Sequence, residues 1–292
     1  MIQDIFPLQM DNQYRDVEPE QRSRVMIFRE NEILIRDEKT LVFPAFAELL
    51  EACKKAACRE PEMTYLFSVS EVEYFLCREP EKEAVEALLA DGYDFVRMSA
   101  MRLRHPKEQV FAAATAWHLA VWYRDNRYCG RCGERLVHSR TQRMLSCPSC
   151  GCMVFPKIAP AVIVGVTDGE RILMTKYAGR EYKRYALIAG FAEIGETAEE
   201  TVRREVYEEV GLRVKKIQYY KSQPWGFDAN LLLGFFCELD GADEITLDET
   251  ELSVAEWVHY RDIPDDDEGI SLTREMMTVF RNRQNTEILK NS

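Results

Sequence analysis

No run of about 18 apolar residues occurs anywhere in the 292-residue chain, so an ordinary membrane-spanning helix is not expected. The opening stretch MIQDIFPLQMDNQYRDVEPE lacks the basic and apolar regions of a secretory leader, and a cytoplasmic protein with no membrane attachment is the expectation. Cationic excess is missing too: 38 Lys and Arg stand against 50 Asp and Glu, a net charge of −12. That balance speaks against a mainly electrostatic grip on nucleic acid, and any RNA contact has to be local. Neither GxSxG nor GKS/GKT is present, which removes the serine-hydrolase elbow and the phosphate loop of nucleotide-driven motors.

What is present is ordinary in bulk and uneven in detail. The 46% hydrophobic and 30% charged fractions suit a soluble globular protein, and the length suits two domains with a small third module. Of nine cysteines, Cys53, Cys58, Cys77 and Cys237 are scattered among apolar neighbours and read as small buried thiols. Cys129, Cys132, Cys147, Cys150 and Cys152 cluster, unlike a secreted disulfide framework.

Residues 1 to about 24 are polar and read as a loose lead-in. Val25 to Phe28 and Glu32 to Arg36 could form a hairpin, Phe43 to Ala57 has helical spacing, Thr64 to Ser70 and Val72 to Cys77 read as strands, and Glu81 to Ala90 as a helix closed by Asp91-Gly92. Together these suggest an α+β domain. Pro106 opens a longer helix through Val110, Phe111, Ala114, Trp117, His118, Val121 and Trp122, whose aromatic stripe is core, with His118 packed or hydrogen-bonded.

Cys129-Gly130-Arg131-Cys132 and Cys147-Pro148-Ser149-Cys150 are two CxxC knuckles fourteen residues apart. Four thiolates at this spacing fit a structural, tetrahedral Zn²⁺ with no position left for substrate; a redox CxxC is the competing reading. Zinc of this kind is worth roughly 10–16 kcal/mol in small peptides and can hold a segment with almost no core. His138 and Cys152 are spare ligands left outside. Arg131, Arg135, Arg140 and Arg143 either offset the thiolates or are solvated surface.

In the last domain Ala161 to Val166 and Arg171 to Thr175 read as paired strands around Asp168-Gly169. Lys176, Arg180, Lys183 and Arg184 either face an anionic substrate or lie in a solvated loop. Gly190 to Glu196 reads as a loop, and Thr197 with Glu200 as a capping box opening a helix that Gly211 ends. Glu199/Arg203 and Glu200/Arg204 are candidate i,i+4 pairs. Glu205, Glu208 and Glu209 then share one face within a turn. Either they are a solvated face, or a divalent cation with a taste for hard oxygen, Mg²⁺ or Mn²⁺, relieves their repulsion. Val214 to Lys221 and Leu231 to Leu239 are strand-like and flank Ser222 to Asn230.

Gly190, Glu196, Arg204-Glu205-Val206, Glu208-Glu209 and Gly211-Leu212 fill every defined position of the signature that this segment resembles, that of the Nudix hydrolases. With the ribbon and the SQPWGFDAN stretch, Tyr128 to Asp262 resembles the NADH pyrophosphatase (NAD-capped RNA hydrolase) family. The expected organisation is an N-terminal α+β domain (1–127), read from its own strands and helices and matching the family only in general layout, then a four-cysteine zinc ribbon (128–156) and, as the resemblance implies, a Nudix α/β/α sandwich with a mixed sheet (157–292). The resemblance also implies Mg²⁺- or Mn²⁺-dependent cleavage of the pyrophosphate of NADH or NAD⁺ to nicotinamide mononucleotide and AMP. Glu205, Glu208, Glu209, Glu251 and the Ala189 carbonyl correspond to the catalytic metal ligands, with Glu209 as base or bridging ligand and Arg204 with Glu196 as the pair that orients them.

The same resemblance implies a homodimer whose aromatics, here Phe155 and Phe191, sandwich nicotinamide. Gln223, Pro224, Trp225, Gly226, Phe227, Asp228, Ala229 and Asn230 line the adenosine-diphosphate side. Gly226, Asp228 and Asn230 depart from the family's SQPWPFPxS, which bears on NADH preference; the glycine is expected to loosen the loop, and the extra carboxylate to be unfavourable near pyrophosphate unless it points away. Removal of NAD caps from RNA, cleavage of another dinucleotide or nucleoside diphosphate derivative, and a non-catalytic ligand-sensing module are the alternatives.

Overall fold

The computed structural model describes residues 1–37, 40–179, 184–265 and 269–282. The chain divides into two compact units, residues 2–157 with 226–229, and residues 158–225 with 230–292 and Met1. No helix among the described residues is long and apolar enough to cross a membrane.

The first unit opens with β1 (Met10–Asp11), β2 (Arg24–Met26), β3 (Phe28–Arg29), β4 (Glu32–Asp37), β5 (Leu41–Val42) and α1 (Phe46–Ala56). After these come β6 (Met63–Val69), β7 (Val72–Cys77), α2 (Lys82–Ala90), β8 (Asp94–Arg97), the one-turn α3 (Met98–Met101) and α4 (Lys107–Asp125). One sheet runs β1-β6-β7-β2, and a second gathers β3, β5 and β8 around β4. The expected hairpin is therefore divided: only β3 pairs with β4, while β2 lies parallel to β7. The polar lead-in is also less loose than its composition suggests, because Met10–Asp11 adds to β6 and Ile2 is buried. α4 starts after Pro106 and buries nearly all round, with Ala112, Ala113 and Ala116 against Phe67, Tyr74 and Leu66 in one cluster.

The ribbon strands β9 (Val137–His138), β10 (Leu145–Ser146) and β11 (Met153–Val154) form an antiparallel sheet in the order β11-β10-β9. Cys129, Leu136, Leu145 and Cys147 join the same apolar cluster as α4. The segment thus has a core, borrowed from the helix before it, which its polar sequence does not advertise.

The second unit contains β12 (Ala159–Asp168), β13 (Arg171–Tyr177), β14 (Ile188–Phe191), α5 (Ala198–Val210), β15 (Val214–Trp225), β16 (Asn230–Leu239), β17 (Leu252–His259) and α6 (Leu272–Arg281). Its mixed sheet runs β15-β16-β12-β13-β17, with β14 also on β12. β12 is parallel to β16 and antiparallel to β14 and β13. Val162, Val164 and Val166 face one side with Phe235, where they meet Val202, Val206 and Val210 of α5. On the other side, a Cβ at Gly234 would stand 2.9 Å from Met276 Sδ and 3.2 Å from Leu272 Cδ2 of α6. Both faces are covered, which gives the α/β/α sandwich.

Two boundaries shift from the sequence reading. Gly190 and Phe191 belong to β14, registered on Val162 and Ala161, so the loop starts after them. Ser222 to Trp225 continue β15, and Trp225 pairs with Asn230, leaving 226–229 as the connection. Alternation is masked there because the strand carries a proline and buries Gln223.

Candidate functional site

The four cysteines of the two knuckles come together with all Sγ atoms within 4.8 Å of one another. Cys132 lies 3.4 Å from Cys147 and 3.5 Å from Cys150, and Cys129 lies 3.6 Å from Cys150. Each knuckle turns its own backbone onto sulfur: Arg131 N–H points at Cys129 Sγ (3.4 Å) and Cys150 N–H at Cys147 Sγ (3.5 Å). These amides lower the Cys129 thiol to about 6 and push Cys147 in the same direction. Four converging soft donors, two already favouring thiolate, fit one zinc ion. Cys152 stays outside the group. His138 does as well, held by Tyr123 Oη at 2.7 Å and the Ser139 carbonyl at 2.6 Å.

The second cluster is built by α5. Thr197 Oγ1 accepts from Glu200 N–H (3.2 Å) while the Glu200 carboxylate accepts from Thr197 N–H (2.8 Å), a reciprocal cap that fixes where the helix begins. Glu200 therefore serves the cap and not Arg204, and Arg203 reaches the Glu199 carbonyl rather than its carboxylate. Val202, Val206 and Val210 repeat every four residues and anchor the helix to the sheet. Glu205 and Glu209 each precede one of these valines, so they sit at the margin of the buried stripe, 8% and 2% exposed; Glu208 is exposed.

Glu205 lies against the backbone of β14: a Cβ on Gly190 would stand 1.9 Å from Glu205 Cδ. Burial raises the Glu205 carboxyl above its usual range, with Arg204 opposing. Neither oxygen of Glu209 has a hydrogen-bond partner among the described residues. Burial pushes its carboxyl up to about 8, the charges of Glu205 and Glu251 push the same way, and the Ala189 peptide pulls back without reaching hydrogen-bond geometry. A buried carboxylate with two orphaned oxygens costs several kcal/mol unless something supplies positive charge. Together with the hard-oxygen donor set, that orphaned pair fits Mg²⁺ or Mn²⁺.

Arg204 organises the rest. Its Nε and Nη2 hold Glu196 at 2.6 and 2.9 Å, Nη1 donates to Glu205 (2.7 Å) and Glu208 (2.9 Å), and Nη2 also reaches the Phe191 carbonyl (2.8 Å). The guanidinium holds the Glu196 carboxyl down to about 2. Glu196 in turn accepts from Glu193 N–H (3.1 Å) and Thr201 Oγ1 (2.9 Å), which closes the loop after β14 onto α5. Thr201 carries no charge and no motif role that the sequence could announce.

Glu251 is 42 positions beyond Glu209, and its charge still acts on both Glu205 and Glu209. Thr246 and Asp248 donate their N–H groups to the Val210 and Glu209 carbonyls at 2.9 Å, so this segment covers the C-terminal end of α5 and brings Glu251 alongside. Of the cations before the loop, Lys176 lies 4.1 Å over the Tyr185 ring. Arg180 and Lys183 lie outside the described residues.

The SQPWGFDAN stretch is split by the fold. Gln223 is fully buried; its amide donates to the Ile270 carbonyl and accepts from Leu272 N–H, both at 2.7 Å, tying β15 to the start of α6. Trp225 is buried, Pro224 exposed, and Asn230 keeps a buried Oδ1 without a partner among the described residues. Residues 226–229 belong to the first unit. There a Cβ at Gly226 would stand 2.2 Å from the Ala114 carbonyl oxygen, so glycine admits a close approach to α4 instead of loosening the chain. Phe227 packs on the α4 cluster, Ala229 takes a left-handed φ of 58°, and the Asp228 side chain is exposed. Phe155 and Phe191 are 52% and 55% exposed, one in each unit.

Comparison with known proteins agrees with this anatomy. The NUDIX domain model matches residues 157–279, and the NADH pyrophosphatase zinc ribbon domain model matches residues 124–155. The chain is 40% identical over 146 residues to the NAD-capped RNA hydrolase NudC of Escherichia coli O9:H4 (strain HS), and equally to that of Shigella boydii serotype 18 (strain CDC 3083-94 / BS512). Each match covers 50% of this chain and 56% of the relative, so the chain spans little more than half the length of the curated relatives it matches. Among solved structures, a NUDIX hydrolase from Nitrosomonas europaea aligns at 20% identity and a TM-score of 0.48, over 55% of this chain and 93% of that one. Residues 157–279 are a Nudix domain, and the segment before them is a zinc ribbon of the NADH pyrophosphatase type.

Proposed function

We propose that this protein hydrolyses the pyrophosphate bond of NADH or NAD⁺, releasing nicotinamide mononucleotide and AMP. The observation that carries the reading is the unpartnered, buried Glu209 carboxylate beside Glu205 and Glu251. A crowd of carboxylates held by a dedicated arginine is poor architecture for stability and good architecture for a cation.

Glu205, Glu208, Glu209, Glu251 and the Ala189 carbonyl would hold Mg²⁺ or Mn²⁺. When bound, the cation supplies Lewis-acid neutralisation of the pyrophosphate. Arg204 keeps Glu205 and Glu208 pointed at one place, and Glu196 keeps Arg204 there. Glu209 takes the proton from the water that attacks phosphorus in line, and the bond from that phosphorus to the bridging oxygen breaks.

A second substrate, NAD-capped RNA, is favoured by the relatives, whose name states that activity. Phe155 and Phe191 are exposed aromatics suited to stack on nicotinamide, in a homodimer as the family resemblance implies. Pro224 and Asn230 contribute to the adenosine-diphosphate side, as the family resemblance implies. The working compartment is the cytoplasm. Product analysis by mass spectrometry with NADH, NAD⁺, ADP-ribose and NAD-capped RNA side by side tests the reading: Mg²⁺-dependent AMP release from NADH supports it, and absence of product from every substrate overturns it. Sedimentation of the purified chain tests the dimer.

A further inference from the structure

The ribbon carries positive charge that neither its fold nor its cysteines use. Residues 124–143 contain six arginines and two acids in a chain of net charge −12. Three of the six are engaged: Arg143 donates to the Leu66 carbonyl, Arg124 pairs with Asp125 at 2.9 Å, and Arg127 with Glu79 at 3.4 Å. Arg131, Arg135 and Arg140 are exposed, and their guanidinium groups make no ion pair or hydrogen bond among the described residues. Countercharge for the thiolates does not account for them. The contacts to Cys129 and Cys147 sulfur come from backbone N–H groups, not from guanidinium.

An aromatic stands beside this charge. Tyr128 is 65% exposed and sits directly opposite Arg135 in an antiparallel bridge, with the register set by Leu136 N–H donating to the Arg127 carbonyl at 3.0 Å. Guanidinium groups for phosphates and a flat ring for a base are the pairing by which proteins hold unpaired nucleic acid. An anionic lipid surface would engage the same arginines. With most of the molecule acidic, such a patch can act only locally, and an unpaired strand needs no more than a local track.

We propose that the exposed ribbon face of Arg131, Arg135, Arg140 and Tyr128 binds single-stranded RNA, phosphates on the arginines and a base on the tyrosine. The proposal rests on the reading of this chain as an enzyme that also accepts NAD-capped RNA, and assigns the RNA body a surface of its own.

The test is anisotropy of a short, uncapped, fluorescent single-stranded RNA on the zinc-loaded full chain, titrated between about 50 and 200 mM salt, where phosphate contacts are read as a slope. In the Arg131→Gln/Arg135→Gln/Arg140→Gln variant, the slope of log affinity against log salt should fall by about 2, three phosphates at roughly 0.7 each. Tyr128→Ala should weaken binding at least about fivefold without changing the slope. Zinc content and NADH hydrolysis should be unchanged in both. An unchanged slope in the arginine variant overturns the proposal, as does capture of phosphatidylserine vesicles by a chain that does not bind the RNA. Should the triple variant lose zinc, the single Arg140→Gln, outside both knuckles, gives the same reading with a slope change of about 0.7. Loss of NADH hydrolysis in the parent chain would overturn the catalytic reading alone, because RNA binding is measured on the same sample without turnover.

Discussion

The Glu205 carboxylate fills the space where a side chain on Gly190 would begin, 1.9 Å from a Cβ built there. The first glycine of the motif and the first of the three clustered glutamates are thus one packing unit. Gly190→Ala should displace Glu205 from Arg204 and reduce kcat by at least about a hundredfold, the scale for misplacing a reacting group by about an ångström. Steady-state kinetics with a circular dichroism control checks it; normal turnover would mean that the carboxylate position is not critical.

Glu209→Gln should retain the fold and lose at least about a hundredfold in turnover, the lower scale for a general base. It should also stabilise the cation-free protein at alkaline pH. The sign follows from the direction of the shift: a carboxyl raised from 4.5 to about 8 binds more protons folded than unfolded, so it disfavours folding progressively as pH rises through that window. Melting at pH 9 with chelator should be several degrees higher in the variant, at roughly 2–4 °C per kcal/mol for a chain of this size class. A lower melting point would show that Glu209 has a partner in solution.

Cys147→Ser should release the zinc equivalent and destabilise the first unit as a whole, because Cys129, Leu136, Leu145 and Cys147 share the α4 cluster. Metal analysis with limited proteolysis checks this. A full zinc equivalent on an intact ribbon would remove the cysteine assignment.

His138 should make the first unit acid-sensitive. Its Nδ1–H donates to the Ser139 carbonyl and its Nε2 accepts from Tyr123, a neutral tautomer assigned from the network, and burial lowers its pKa while Arg78 and Arg143 oppose a charge there. The unfolded chain therefore takes up a proton first, and stability falls as pH drops below about 6.5, by at most about 1.4 kcal/mol per pH unit. His138→Gln should flatten urea-derived stability between pH 7 and 5, and an unchanged slope would place the acid sensitivity elsewhere.

Gly226→Ala should cost at least about 1–3 kcal/mol, the penalty for an overpacked contact, since its Cβ would stand 2.2 Å from the Ala114 carbonyl oxygen. Denaturant melts read it directly. A neutral effect would mean that the 226–229 connection adjusts freely.

Much of the site was legible because its signals are local. A capping box, a helix-ending glycine and i,i+3/i+4 glutamates are set by spacing alone, and two CxxC knuckles need only their own turns to aim four sulfurs. The strand ends were less legible. Pro224 and the buried Gln223 hide the alternation that would have extended β15 to Trp225, and Gly190-Phe191 reads as loop until β12 is there to pair with it.

The chain by itself proposed the donors, four cysteines in two knuckles and three glutamates with an arginine on one helix, while Glu251 entered only through the family resemblance. Only the tertiary structure decided their states. Packing of β14 and the 246–251 segment against α5 leaves Glu209 buried with no hydrogen-bond partner among the described residues, brings Glu251 within electrostatic reach, and makes glycine obligatory at 190. The reason is range: hydrogen-bonded caps and knuckles close within a few residues, whereas desolvation depends on which distant backbone covers a side chain.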